Sequence, residues 1–167
     1  MGMGADICNV GIGAGFWDRY LSYQLHGGGL TSIDKDELCC RQLREGLANE
    51  GDPNRVRIIQ ADVMQVTDCD DRFDIVTMVG STRREIGLLE EALGKLFQFV
   101  KPGGSFYYQS LDETESKATV QELCEKHGMR VEANLLDTRY GFRAQYWKIV
   151  RPLGSAKRVL SSMMVQR

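Results

Sequence analysis

The segment Asn9-Val10-Gly11-Ile12-Gly13-Ala14-Gly15 sets three alternate glycines between a short apolar run (Ala5, Ile7, Val10) and a stretch with helical spacing. Such a segment joins a strand to the helix that follows, because glycine accepts the positive φ values that a tight connection demands. It also leaves bare backbone, and the first N–H groups of the helix, open to a polar ligand. A nucleotide-type cofactor is the first expectation. The spacing then narrows the choice. A dinucleotide fingerprint, G-x-G-x-x-G/A, needs a small last residue for close helix-to-strand packing. Here that position is Phe16, followed by Trp17, which disfavours a nicotinamide dehydrogenase.

The chain alternates strand and helix patterns to about residue 151, as a parallel α/β sheet does. Strands are expected over 5–10, 30–33, 56–59, 73–79 and 105–109. Residues 73–79 form a near-continuous apolar run, which fits a central strand buried on both faces. Helices are expected over 16–25, with Tyr20, Leu21 and Leu25 inward, and over 36–49, with Leu38, Leu43 and Leu47 inward. Two more are expected over 84–100 and 113–127. Lys101-Pro102-Gly103-Gly104 reads as a turn between helix and fifth strand. Residues 129–137 and 143–150 read as a closing antiparallel pair, joined by a loop with Tyr140 and Gly141.

A length of 167 residues suits one domain, with a core over 1–151 and a basic tail over 152–167 that carries Lys157, Arg158 and Arg167. The formal net charge of −2 gives no basic excess for nucleic acid. The five cysteines are odd in number and lack C-x-x-C spacing, which favours a reducing cytoplasm over a disulfide framework or a zinc site. No run of 18 apolar residues suggests a membrane span. No nucleic acid, membrane or metal is therefore expected as a partner.

Gly-x-Gly-x-Gly followed by bulky residues resembles the first motif of class I S-adenosylmethionine (SAM) dependent methyltransferases, and four later features fall in that family's order. Asp34 ends the second strand, 23 residues after Gly11. The resemblance implies that it accepts the ribose hydroxyls; taken alone, it could equally cap the next helix. Ala61-Asp62-Val63 resembles the motif whose acid accepts the adenine amino group while the next backbone N–H meets a ring nitrogen, although a solvated loop acid is the plainer alternative. Residues 73–80 resemble the family's fourth strand, whose end borders the methyl group, and Asp74 within it is expected to be structural. Phe99-Val100-Lys101-Pro102-Gly103-Gly104 resembles the turn before strand five.

The resemblance spans about residues 5–150. It implies a doubly wound, three-layer α/β/α fold with seven mostly parallel strands in the order 3-2-1-4-5-7-6, the last antiparallel. It implies SAM as cofactor, S-adenosylhomocysteine (SAH) as product, and cofactor-binding roles for Asn9, Gly11, Gly13, Gly15, Trp17, Asp34, Lys35, Asp62, Val63 and Gly80. Two departures stand out. The family usually has an acid, which helps to hold the methionine ammonium group, where this chain has Asn9. Barely four residues precede the first strand, so the N-terminal lid is expected to be reduced. An open cleft for a large acceptor, a cover from a second protomer of a homo-oligomer, and a trimmed N-terminus would each account for that. Val79-Gly80-Ser81-Thr82 and the Pro-Gly-Gly turn also resemble, over a short stretch, the corrin-biosynthesis methyltransferases that act on carboxylate-rich tetrapyrroles.

Methyl transfer from a sulfonium is an in-line displacement whose leaving group is already activated, so alignment does most of the work. No catalytic side chain is assignable. The loop Gly80-Ser81-Thr82-Arg83-Arg84-Glu85 is not the Asn/Asp-Pro-Pro-Tyr/Phe loop used on base amines, and no cysteine follows strand four or five for a covalent route to cytosine. Asp112, Glu113 and Asp137 have no diagnostic metal spacing. His26 and His127 read as helix-end residues, not bases. A small, anionic metabolite is the acceptor that Ser81, Arg83, Tyr108 and Arg139 would suit. The alternatives are solvated or salt-bridged arginines and a Tyr108 that covers the core. Aminocarboxypropyl transfer, and a non-catalytic SAM- or SAH-binding module needing a partner, are the rival functions.

Overall fold

The computed structural model describes residues 4–52, 55–80, 89–110, 117–139 and 143–154. Within them lie seven strands: β1 (Ile7–Val10), β2 (Leu30–Asp34), β3 (Val56–Gln60), β4 (Phe73–Val79), β5 (Val100–Ser110), β6 (Arg130–Asp137) and β7 (Ala144–Val150). Four helices alternate with them: α1 (Phe16–Gln24), α2 (Glu37–Asn49), α3 (Leu89–Phe99) and α4 (Lys117–Lys126). All four residues of β1 are buried, as the centre of a sheet covered on both faces requires. The strands form one sheet in the order β3-β2-β1-β4-β5-β7-β6, parallel through β5, with β7 antiparallel to both its neighbours. This is the order and direction that the resemblance implied.

Two apolar clusters fill the layers. On one face Ile7, Leu30 and Val56 meet Leu21 of α1 and Cys40, Leu43 and Leu47 of α2. On the other, Val76, Met78, Phe106, Tyr108, Trp147 and Ile149 meet Leu93, Leu96 and Phe97 of α3 and Val120 and Leu123 of α4. The buried side chains of α1 are Asp18, Leu21 and Ser22, and those of α2 are Cys40, Leu43 and Leu47. Tyr20 and Leu38, expected inward, are about half exposed. Tyr20 instead stacks on Trp17, with ring centroids 5.4 Å apart. The inward stripes keep the expected Leu21, Leu43 and Leu47 and add Asp18, Ser22 and Cys40, small or polar residues that the apolar pattern does not single out.

The Pro-Gly-Gly turn also differs from expectation. Val100 already pairs with Phe73, and the register then shifts so that Ser105 pairs with Ile75, leaving Lys101 to Gly104 as a bulge inside β5. The bulge is held from the other side, where the Gly103 N–H donates to the Arg151 carbonyl (2.8 Å) and the Arg151 N–H to the Gly104 carbonyl (3.0 Å). Only glycine fits at 104. A Cβ there would stand 2.8 Å from the Asp74 carbonyl oxygen, closer than side chains approach backbone.

Asp74 lies at the amino end of the sheet, away from the carboxyl ends of the parallel strands. Its carboxylate accepts the Asp6 backbone N–H (2.8 Å) and Lys101 Nζ (2.9 Å), and Lys101 also reaches Asp6 (3.3 Å). The Asp6 N–H, and then Lys101, hold the Asp74 carboxyl below the usual carboxylate range. A depressed folded-state value stabilises the fold above the unfolded-state value, and this contribution is lost as pH falls through the folded one. Asp74→Asn should therefore lower stability at neutral pH by about 1 kcal/mol or less, the pair being partly exposed, and flatten the acid limb. Urea melts of both proteins from neutral to acid pH check this, and identical pH profiles would refute it.

Candidate functional site

The carboxyl ends of β1 to β4 open onto a cleft of about 710 Å³, within the usual range for small-ligand sites. It lies where the sheet order reverses, with β2 to one side of β1 and β4 to the other, which is where open α/β sheets take their ligands. The walls are the glycine turn with Phe16 and Trp17, the end of β2 through Asp36, residues 61–64, and Val79 with Gly80.

The turn is built on glycine conformations, with φ of 87° at Gly11, 53° at Gly13 and 74° at Gly15. The Gly11 N–H donates to the Ile33 carbonyl (2.9 Å) and the Gly15 N–H to the Ile12 carbonyl (2.9 Å). Gly15 stands at the N-cap of α1 without a side-chain cap. A Cβ on Gly15 would press on Leu43 Cδ1 at 3.2 Å, whereas one on Gly13 would meet nothing within 4 Å. Bare backbone at 13 therefore borders open space in the cleft.

Asp34 holds this turn in place. Its Oδ2 accepts the Ile12 N–H (2.7 Å) and the Gly13 N–H (3.3 Å), and its Oδ1 accepts the Asp36 N–H (2.9 Å). The cap of α2 is Asp36, which accepts from the Leu38 and Cys39 N–H groups, so Asp34 is not committed to capping. Asp62 accepts the Met64 N–H (2.9 Å) and starts a single 3-10 turn, Val63–Gln65, where the sequence suggested only a loop.

Every residue expected to bind the cofactor borders the cleft except Asn9. Asn9 is wholly buried beneath the turn, because both faces of β1 are covered. Its Nδ2 donates to Asp18 Oδ1 (2.8 Å) and to the Gly11 carbonyl (3.3 Å), and its Oδ1 accepts from Thr77 Oγ1 (2.8 Å). Thr77 in turn accepts Trp17 Nε1 (3.2 Å), and Ser32 Oγ donates to Asp18 Oδ1 (2.6 Å). Sequence reasoning missed Asp18, Ser32 and Thr77. The available signal was a charged residue at 18 in register with Leu21 and Leu25 on the inward face of α1. Burial pushes the Asp18 carboxyl up, against the hydrogen bonds from Ser32 and Asn9 that favour its charged form.

The acceptor side is placed differently. Tyr108 is in the core, 1% exposed and stacked on Phe106, since alternation along β5 turns Tyr107 outward instead. Arg139 grips Asp137 through Nε and Nη2, and it holds that carboxyl down at about 2. Its guanidinium is thus engaged within the protein. Ser81, Arg83, Asp112, Glu113, Tyr140 and the tail from residue 155 lie outside the described residues. Among the described residues, no group of three or more His, Cys, Asp or Glu could hold a metal ion, and no helix is long and apolar enough to cross a membrane.

A family model described as "Methyltransferase domain" matches residues 7–104, more than half of the chain. No curated protein matches the sequence significantly. Among solved structures the chain is similar to the [4+2]-cyclase SpnF, with a TM-score of 0.80 and 13% identity over 92% of this chain and 78% of that one. It is similar to a SAM-dependent methyltransferase from Aquifex aeolicus (TM-score 0.72, 19% identity, 89% of this chain and 83% of that one). It also resembles magnesium protoporphyrin IX methyltransferase (ChlM) from Synechocystis PCC 6803 with bound SAM (TM-score 0.72, 13% identity, 89% and 71%). At such identities these structures establish the fold alone.

Thr77 is the link between Trp17 and Asn9, and it is 2% exposed. Thr77→Val keeps the shape but leaves the Trp17 N–H and the Asn9 oxygen without this partner, which should destabilise the fold by about 1–3 kcal/mol. Denaturant melts measure the loss, and a change within a few tenths of a kcal/mol would show that the link carries no stability.

Proposed function

The chain belongs to the methyltransferase-domain family, and from that premise we propose that it transfers the methyl group of SAM to a small-molecule acceptor and releases SAH. In this reaction a lone pair on the acceptor forms a bond to the methyl carbon while the carbon–sulfur bond breaks, its electron pair remaining on sulfur. The observation that supports the reading is that Asp34, Asp62, the glycine turn and Trp17 line one cleft. The residues fit the cofactor. Asp34 would take a ribose hydroxyl on Oδ1; two backbone N–H groups already hold its Oδ2 and one its Oδ1, which of a carboxylate's roughly four acceptor sites leaves about one, on Oδ1. Asp62 would take the adenine amino group and the Val63 N–H a ring nitrogen. Gly13 would let the ligand lie against backbone, and Lys35 and Gly80 also line the cleft. The bound sulfonium supplies the activated methyl group. The cleft residues would orient it, so catalysis would be mainly positional.

Acceptor contacts fall to Ser81 and Arg83, which follow β4 in sequence, and Arg83 is what would favour an anionic metabolite. Tyr108 and Arg139 no longer support that side. A second reading is a non-catalytic SAM- or SAH-binding module; the same fold occurs in SpnF, a [4+2]-cyclase, so the fold by itself does not require methyl transfer.

Calorimetric titration with SAM, SAH and NAD tests the reading, which expects binding of the first two and not the third. Gly13→Ala should weaken SAM at least about tenfold by putting a methyl group in the cleft, while the positive φ costs the fold about 1–2 kcal/mol. Tight NAD binding without a response to SAM would overturn the proposal. Mass analysis of a modified acceptor then separates methyl from aminocarboxypropyl transfer.

A further inference from the structure

Asp18 is a costly residue to place where it stands. It is wholly buried, and its Oδ2 has no hydrogen-bond partner. A carboxylate withdrawn from water is expensive unless a cation or further donors complete it. Its Oδ1 is met by two neutral donors, Asn9 Nδ2 and Ser32 Oγ. Among the described residues, the ionisable groups coupled to it include Asp34 and Cys8, and neither is a cation. A serine or an alanine would cover the same core without that cost, and helix-dipole compensation at the first turn of α1 would be served as well by an exposed acid.

Asp18 follows Trp17, which borders the cleft, and Asn9 links Asp18 to the carbonyl of Gly11 in the turn. Asn9 itself is neutral, so the negative charge beneath the turn is at position 18. The ligand proposed above carries positive charge on its methionine part, on the ammonium group and on the sulfonium. We infer that Asp18 is a positioning residue for that cationic part, its carboxylate acting through Asn9 and the glycine turn as the buried counter-charge of the bound cofactor. This rests on the proposed SAM site. It assigns to α1 a specificity that Asn9 does not supply.

The alternative is a purely structural tie between α1 and β2 through Ser32. Asp18→Asn separates the two, because the side-chain oxygen that accepts from Asn9 and Ser32 is kept and only the charge is removed. Ligand binding is measured by calorimetry on wild type and variant with SAM, SAH and 5′-methylthioadenosine, which keeps the nucleoside and the sulfur but lacks the amino-acid part. SAM and SAH should bind Asp18→Asn about tenfold more weakly or worse, and methylthioadenosine within about twofold of wild type. The melting temperature should be equal or higher, since a desolvated charge has been taken away. The double variant Asn9→Asp/Asp18→Asn, which moves the carboxylate across the shared hydrogen bond, should restore SAM affinity. Unchanged SAM affinity in Asp18→Asn, or an equal loss with methylthioadenosine, overturns the inference while leaving the SAM site standing. Wild-type protein that binds none of the three ligands overturns the SAM site, and the inference with it.

Discussion

The burial of β1 on both faces is the constraint from which the rest of the molecule follows. A short apolar strand with neighbours on either side and no wet face suits parallel pairing, which needs crossover connections, and its two faces need helices above and below. Four helices in two layers meet that need. Because β2 continues to one side of β1 and β4 to the other, the chain leaves a gap above the carboxyl end of β1. The connection from β1 to α1 has to turn within that gap, and three glycines with positive φ let it do so. The cleft is thus a by-product of sheet topology, and the residues around it add chemistry to a space already made.

What could be read from the sequence was local. The glycine spacing, the apolar run of β4 and the alternation of elements are short-range patterns, and they carried the α/β class; the strand order and most of the cleft wall came from the family resemblance those motifs carry. What could not be read depended on the third dimension. Tyr107 and Tyr108 are adjacent, and alternation says only that they part company; which one enters the core is fixed by the register against β4 and β7. Asp34 and Asp36 were both fit to cap α2, and a shift of the helix start to Glu37 gave that task to Asp36. Tyr20 and Leu38 are apolar at helical spacing, yet the inward stripes run through Asp18, Ser22 and Cys40. The Pro-Gly-Gly segment carries every mark of a turn, but the backbone of Arg151 holds it inside a strand.

Asn9 is the clearest case of a residue seen correctly in one dimension and misplaced in three. Its position before the glycines suggested a side chain facing the ligand. With both faces of β1 covered, the side chain goes inward, and both ends of its amide are used within the protein. The question asked of it therefore passes to the residues it touches, and the chemistry of the turn lies partly in a layer beneath the surface that a ligand would contact.

That layer joins α1 to three strands through Asn9, Asp18, Ser32, Thr77 and Trp17, all meeting within one chain of hydrogen bonds. Each of these side chains completes another, so most single exchanges leave a buried donor or acceptor open. In the language of descent, the five positions form one epistatic unit. A lineage leaving this arrangement would have to change members in pairs, or pass through a weakened intermediate. Among relatives of this chain, the residues at 9 and 18 should accordingly vary together, and the order in which such changes were accepted would be constrained by history as much as by function.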